Sequence, residues 1–100
     1  MIKVKQLANN QFIIETGSIS GPKAIEYLQS YDSIIAKRHN DKIVGEYFPF
    51  VELDKTYWNY SKTTSKYRNQ FLGETTKETQ AKIDSGEYTL TDLNVDTHLL

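Results

Sequence analysis

The chain has 100 residues, of which 38% are hydrophobic and 12% aromatic, and its formal net charge is −1. This length allows one domain with one thin core and excludes a second, and the near-neutral charge excludes a histone-like protein that binds nucleic acid by bulk charge. The sequence contains no cysteine, which excludes a disulfide framework, a zinc ribbon and a thiol nucleophile.

Targeting and membrane signals are missing from the sequence. Residues 1–7 contain no apolar stretch of the kind that secretory signals carry. No window approaches the roughly 18 apolar residues that a membrane span requires. We therefore expect a cytoplasmic protein with no membrane contact.

The first quarter of the chain predicts extended structure. Residues 2–7 alternate apolar and basic side chains, two asparagines at 9–10 supply a turn, and 11–15 form a second extended run, so we predict an opening hairpin. Glycine and proline make 16–23 a loop. Residues 24–31 fit both helical and strand spacing, and we favour a strand.

A second hairpin is predicted in the middle of the chain. Residues 33–38 and 43–48 are rich in β-branched and apolar side chains, and the polar segment 39–42 suits the turn between them. Pro49 has no N–H to donate to a neighbouring strand. We expect the strand to end or to reach a sheet edge there, which leaves 50–55 as a connection.

Two helices are predicted in the C-terminal half. Ser61 can cap the first, and Gly73 suits the left-handed position that ends it. Thr75 and Glu78 have the spacing of a capping box at the start of a second helix, which should stop near Gly86. Tyr60, Thr64, Tyr67 and Phe71 fall on one face of the first helix.

These elements together predict an α+β fold. It has an antiparallel sheet of about four to five strands, the last at 88–90, with two short helices in the C-terminal half. We assign residues 1–90 to a single domain. Residues 91–100 carry two acidic residues, no Lys or Arg and little periodicity, and we expect them to form a loosely ordered acidic tail.

The segment 55–73 is the most distinctive part of the sequence, with four basic residues, five aromatic ones and no acid. Interleaved basic and aromatic side chains suit phosphates and stacked bases, and Trp, Tyr and Arg are also frequent hot spots of protein interfaces. The partner-binding candidates are Trp58, Tyr60, Lys62, Lys66 and Arg68. Alternatively, the aromatic side chains form the core face of a helix and the lysines are simply solvated.

Catalytic and metal-binding patterns are absent. His39 and His98 have no second histidine at ligand spacing, and no serine lies in a nucleophile motif, so we expect no metal, no cofactor and no enzymatic activity. The segment 17–23 differs from a phosphate-binding loop in its spacing, and Ala24 replaces the required Ser or Thr. A metal site built from His39 and scattered carboxylates stays as a third alternative.

Three stretches carry a resemblance to a known group of proteins. Residues 29–36, 58–67 and 71–72 resemble a family of small proteins carried by bacteriophages and other mobile elements of bacteria, with similarity over roughly 25–90. Members often carry His where this chain has Tyr67. Small phage proteins of this size are often accessory factors that act on host machinery, and some inhibit CRISPR nucleases.

The resemblance implies a partner and a setting. The expected function is binding and inhibition of a host defence complex such as a Cas9-type nuclease, in the cytoplasm of the host cell. The alternative is a nucleic-acid-binding accessory protein of phage or plasmid replication, with only weak contact because four positive charges are few beside the roughly 6–10 phosphate contacts of a strong binder. A minority alternative is that the acidic C-terminal half imitates nucleic acid. We expect a monomer or a homodimer.

Overall fold

The computed structural model describes residues 2–16, 25–43 and 46–94, and at 40–43 and 46–49 it describes the backbone alone. Within these ranges six strands lie side by side in chain order; the first five are antiparallel to their neighbours, and the last is parallel to the fifth. The elements are β1 (Ile2–Ala8), β2 (Gln11–Thr16), β3 (Ile25–Ser30), β4 (Ser33–Ile43), β5 (Glu46–Asp54), α1 (Lys62–Leu72), α2 (Thr76–Asp84) and β6 (Thr89–Thr91).

The α+β prediction is confirmed. One mostly antiparallel sheet carries two helices in the C-terminal half, and the described sheet has six strands instead of four to five. The opening hairpin is present as β1 and β2, and the ambiguous segment is strand β3. Most of the predicted loop 16–23 lies outside the described residues.

The second hairpin is longer than predicted. The expected turn at 39–42 lies inside β4, where His39 pairs with Phe50. The expected connection after Pro49 is also wrong, because β5 continues to Asp54. Strand β6 pairs only with the end of β5, so one side of Pro49 has no strand neighbour among the described residues, and a sheet edge tolerates a missing N–H.

Both helices begin as their sequences predict. The Ser61 side chain accepts a hydrogen bond from the Thr64 backbone N–H at 3.1 Å, and Gly73 ends α1 with φ at 70°. At α2 the Thr75 hydroxyl and the Glu78 carboxylate each accept a bond from the other residue's backbone N–H, at 3.1 and 3.0 Å. These reciprocal bonds satisfy amides that a helix start otherwise leaves unpaired.

The core lies between the helices and one face of the sheet. Leu28, Ala36 and Leu53 face one another on neighbouring strands and are fully buried. Phe71 from α1 and Tyr88, just before β6, pack on them. Of the residues that share one face of α1 by their spacing, Thr64 and Phe71 are buried, whereas Tyr60 is 67% exposed; Arg68 is also buried.

The segment that follows β6 is bonded to the sheet over its described part. The Leu93 N–H donates to Asp54 Oδ1 at 2.8 Å, and the Asn94 side chain bonds both the N–H and the C=O of Ile34, at 2.7 and 2.8 Å. Residues 91–94 are therefore ordered by specific contacts. The rest of the expected tail, 95–100, lies outside the described residues.

Candidate functional site

An open groove of about 640 Å³ lies where the β3–β4 turn, the loop at 55–60 and the first turn of α1 meet. We call it the tyrosine groove, because the three tyrosines Tyr31, Tyr57 and Tyr60 line it. Ser61 and Thr63 add hydroxyl groups to its wall, as part of the helix start. Ring faces with polar tips suit a surface that contacts a partner while it remains partly in water.

Two of the three tyrosines are strongly exposed. Tyr60 is 67% and Tyr31 48% exposed, whereas Tyr57 is half-buried against the core. The rings of Tyr57 and Tyr60 meet edge to face, with their centroids 5.6 Å apart. The half-buried ring therefore supports an exposed one, which is the arrangement of an anchor for a partner.

Tyr31 has an unusual backbone conformation. Its φ is 55°, in the left-handed region, which costs an L-residue other than glycine roughly 1–2 kcal/mol. The Tyr31 N–H donates to the Asn10 carbonyl at 2.7 Å, and the Gln29 side chain donates to the Tyr31 carbonyl at 2.8 Å. The two hairpin tips thus hold Tyr31 in a strained conformation, and such strain clusters at functional sites.

Hydroxyl groups join the start of α1 to the sheet. Thr64 is buried, and its Oγ1 lies 3.0 Å from the Ser30 Oγ at the end of β3. The Ser61 hydroxyl, which caps the helix, donates to the same Thr64 oxygen at 3.2 Å. The first turn of α1 carries no acidic residue and exposes Lys62, so the end of the helix dipole beside the groove is positive.

A buried carboxylate positions the first residues of the loop at 55–60. Asp54 is 1% exposed, and its Oδ2 accepts backbone bonds from Thr56 at 3.0 Å and Tyr57 at 2.8 Å. Its Oδ1 accepts the bond from Leu93 described above. Asp54 therefore places Tyr57 directly. Sequence reasoning missed it, although an aspartate that follows a strand and precedes a turn is a recognisable signal.

A buried guanidinium positions the loop at its other end. Arg68 is 0% exposed and lies 5.0 Å from the centre of the Trp58 ring. Its Nη1 donates to the Trp58 carbonyl and, at 3.2 Å, to Asn59 Oδ1. Its Nη2 donates to Asn69 Oδ1 at 2.9 Å and to Thr76 Oγ1 at 2.7 Å. One side chain thus bonds the loop, its own helix and the start of α2.

This burial corrects the predicted site. Burial lowers the pKa of Arg68 from its ordinary value, and the charge of Glu74 partly offsets that effect. A guanidinium with no exposed surface cannot contact a partner on this face, so Arg68 leaves the set of contact candidates. Trp58 packs partly against the core beneath it and has the same structural role.

The remaining predicted site residues are on the surface. Tyr60 lines the tyrosine groove, and Lys62 is exposed beside it at the start of α1. Lys66 is exposed one turn further along the helix, with its Nζ 5.4 Å from the centre of the Tyr67 ring. Of the five predicted residues, the structure therefore places Tyr60, Lys62 and Lys66 on the surface, Trp58 partly buried against the core and Arg68 inside. Sequence reasoning did not assign Tyr31 to the site.

A second polar cluster lies at the other end of α1. The Glu74 side chain is nearly buried; its Oε1 accepts bonds from Lys82 Nζ and the Tyr88 hydroxyl, both at 2.8 Å, and its Oε2 accepts one from Thr79 at 2.6 Å. Burial alone would raise the pKa of Glu74, but these bonds outweigh it and hold the pKa below its ordinary value. Burial, aided by the bond to Glu74, raises the pKa of Tyr88 to about 12. This cluster stabilises the fold.

Two further observations concern the described residues alone. Within the described ranges no three His, Asp or Glu side chains are gathered as a metal site would require. Neither described helix has the length and apolar character needed to cross a membrane.

Comparison with known families places the chain in one of them. Residues 2–87 match a family of unknown function, DUF8033. The chain belongs to this family. No curated protein and no solved structure matches the chain. The matched residues cover β1 to β5, both helices and the tyrosine groove, and the family assigns no activity to them.

Proposed function

We propose that this DUF8033 protein is a non-catalytic binding protein that inhibits a host defence nuclease complex through the tyrosine groove. The observation that carries the proposal is the open groove in which Tyr31 and Tyr60 are strongly exposed beside Tyr57. Exposed aromatic side chains around a concave surface are typical of the residues that dominate binding energy.

The groove is also rigid, which favours binding. Asp54 and Arg68 hold the loop at 55–60 from its two ends, and the bond between Ser30 and Thr64 holds the start of α1. A surface whose side chains are already held in place loses less conformational entropy when a partner binds. The buried polar residues therefore support the contact residues without touching the partner.

The identity of the partner rests on the resemblance to small proteins of bacteriophages and other mobile elements. Such proteins often act on host machinery, and inhibition of a Cas9-type nuclease is the function that we expect from this setting. The groove and the partner are accordingly tested together, with separate outcomes.

Nucleic-acid binding is the second candidate, because Tyr60 and Lys62 place an aromatic ring beside a cation at a helix start. The burial of Arg68 weakens this candidate. It leaves three exposed lysines in the segment 55–73, namely Lys55, Lys62 and Lys66, against the roughly 6–10 phosphate contacts of a strong binder. The protein partner is therefore favoured.

The test is target cleavage by a guide-loaded Cas9 nuclease with and without the purified protein, added before or after DNA. We expect dose-dependent inhibition by the wild type. Tyr60→Ala should weaken inhibition roughly 30-fold, as expected for a hot spot worth about 2 kcal/mol. Leu90→Ala is the matched control, because Leu90 is also exposed and lies outside the groove.

The outcomes separate the groove from the partner. Equal inhibition by the wild type and both variants would show that the groove is not the contact surface. If the wild type does not inhibit, this nuclease is not the partner, and binding to a single-stranded oligonucleotide becomes the next measurement. An oligonucleotide affinity that falls steeply as salt rises would favour the second candidate.

A further inference from the structure

The face of the sheet opposite the helices, which we call the open face, carries apolar side chains. Val4 pairs with Ile14 and Ile14 with Tyr27, so the three lie side by side on neighbouring strands and on the same face. The row continues through Lys37 and Glu52 on β4 and β5. It runs across five strands.

A second row lies beside the first on the same face, displaced from it by two residues along each strand. Ile2, Thr16 and Ile25 are paired on β1, β2 and β3, and His39 and Phe50 continue the row on β4 and β5. The His39 ring stacks on the Phe50 ring with a centroid distance of 5.6 Å. Ile2 is 70% and Val4 62% exposed, so the edge of the open face is uncovered within the described structure.

The other face of the same strands holds the core residues Leu28 and Ala36 at its centre, but charged side chains at the β1 end. Lys3 pairs with Glu15, Glu15 with Glu26, and Lys5 lies on the same face. In an antiparallel sheet with one covered face, the apolar residues normally point to the covered side. Here α1 packs over β3 and β4, and at the β1 end the apolar residues point away from it. This alternation indicates that another surface covers the open face.

The apolar part of the open face has the size of the surface patches that often mark binding sites. A groove of about 390 Å³ lies on it, lined by Ile14, Tyr27, Ile34 and Leu93, with Lys37 and Asp92 at its polar border. The apolar region spans about 19 Å across four strands and about 17 Å along them, roughly 300 Å² in projection. Patches of roughly 300–600 Å² are the largest on typical monomers and often mark binding surfaces.

We propose that the open face packs against the open face of a second copy of this chain, in a symmetric sheet-on-sheet dimer. A two-fold axis brings each patch against itself, so a patch with unpaired charge would repel its copy. The central charges of the open face, Lys37 and Glu52, neutralise each other at 3.5 Å. The patch is thus suited to a copy of itself.

Two copies could also associate by pairing their β1 edge strands, but that arrangement would bring like charges together. Antiparallel pairing of two copies of β1 centred on Val4 would place Lys3 directly opposite Lys5 of the other copy, and lysines on an edge strand discourage such pairing. Face-to-face packing avoids this repulsion. It also leaves the tyrosine groove free, because the groove lies on the helix side of the sheet.

Sedimentation velocity and light scattering of the full-length protein over a range of concentrations test the proposal. We expect a monomer–dimer equilibrium for the wild type. The double substitution Ile2→Glu and Val4→Glu should raise the dimer dissociation constant at least about 100-fold, because each dimer loses four apolar side chains from its interface. Circular dichroism checks that the variant is folded, and the high exposure of both residues favours that result.

The matched control is Lys3→Gln with Lys5→Gln. It changes the same strand by the same two units of negative charge, but on the opposite face, and should leave the dissociation constant unchanged. A dimer that becomes tighter in Lys3→Gln with Lys5→Gln would point to edge pairing, because the Lys3–Lys5 repulsion is removed, and would overturn the proposal, as would equal weakening by both double variants. A wild type that stays monomeric at every concentration would also overturn the proposal. In that case, increased binding of a hydrophobic dye after removal of residues 95–100 would identify those residues as the segment that covers the open face.

Discussion

The two ends of α1 use similar residues for opposite purposes. At its C-terminal end Tyr88 and Lys82 bond the carboxylate of Glu74, and Tyr88 is buried. At its N-terminal end Tyr60 is 67% exposed and Lys62 lies beside it on the surface. The difference is what the buried carboxylate binds: Glu74 accepts bonds from tyrosine and lysine side chains, whereas Asp54 at the N-terminal end accepts bonds from backbone N–H groups, and Tyr60 and Lys62 stay at the surface.

Arg68 should show the largest effect, because it supports the N-terminal end from inside. We expect Arg68→Ala to lower the free energy of unfolding by about 3–5 kcal/mol, since it removes the bonds to the Trp58 carbonyl and the Thr76 hydroxyl and the packing against the Trp58 ring. Urea unfolding measures the change. Lys66→Ala on the same helix is the control and should change stability by less than about 0.5 kcal/mol. Similar values for the two variants would contradict the structural role of Arg68.

The two tyrosines test the comparison directly. Tyr88→Ala should cost about 3 kcal/mol of stability, because the buried ring and its bond to Glu74 are lost together. Tyr60→Ala should cost less than about 0.5 kcal/mol, because most of its ring is already in water. Thermal unfolding of both variants provides the measurement. A stability loss at Tyr60 equal to that at Tyr88 would mean that the groove is part of the core.

Acid should weaken the C-terminal end selectively. The pKa of Glu74 in the folded protein lies below its ordinary value of 4.5, so the stability from its ionised form is complete above that pH and is lost as the pH falls below it. Glu74→Gln should reduce stability by about 2 kcal/mol at neutral pH and show a shallower loss in acid.

Urea unfolding of both proteins between neutral and acid pH measures this slope. The pKa of Glu78 is also lowered, first by its bond from the Thr75 backbone, so some acid dependence should remain in the Glu74→Gln variant. Identical slopes for the variant and the wild type would mean that Glu74 does not stabilise the fold through its charge.

Tyr31 should give the smallest effect, and one of opposite sign. Tyr31→Asn is expected to raise stability by about 0.5–1 kcal/mol, because asparagine tolerates the left-handed backbone that tyrosine occupies at a cost. The same variant should bind the partner less well. Asn10 also has a left-handed backbone, with φ at 61°, and provides the reverse test: Asn10→Tyr should lower stability by a similar amount. A loss of stability in Tyr31→Asn would show that the ring contributes more to the fold than its strain costs.

The sequence predicted the parts of the fold that depend on near neighbours. Bonds between residues a few positions apart determine both helix starts, the glycine that ends α1 and the opening hairpin. The residue types at Ser61, Gly73 and Thr75 were therefore sufficient to predict where the helices begin and where α1 ends. Exposed Tyr60 and Lys62 were also part of the predicted site. Local spacing determines these features, because the donor and the acceptor are close along the chain.

Only the tertiary structure decided which charged and aromatic residues face inward. Arg68 is buried because it meets Trp58 and Thr76, which lie ten residues before it and eight after it, and Asp54 is buried because it also binds Leu93. Pro49 is accommodated because β6 covers only the last part of β5. Helical periodicity in the segment 55–73 fits a core face and a contact face equally well. The choice between them depends on the groups that the rest of the chain brings alongside, and those groups lie eight or more residues away along the chain.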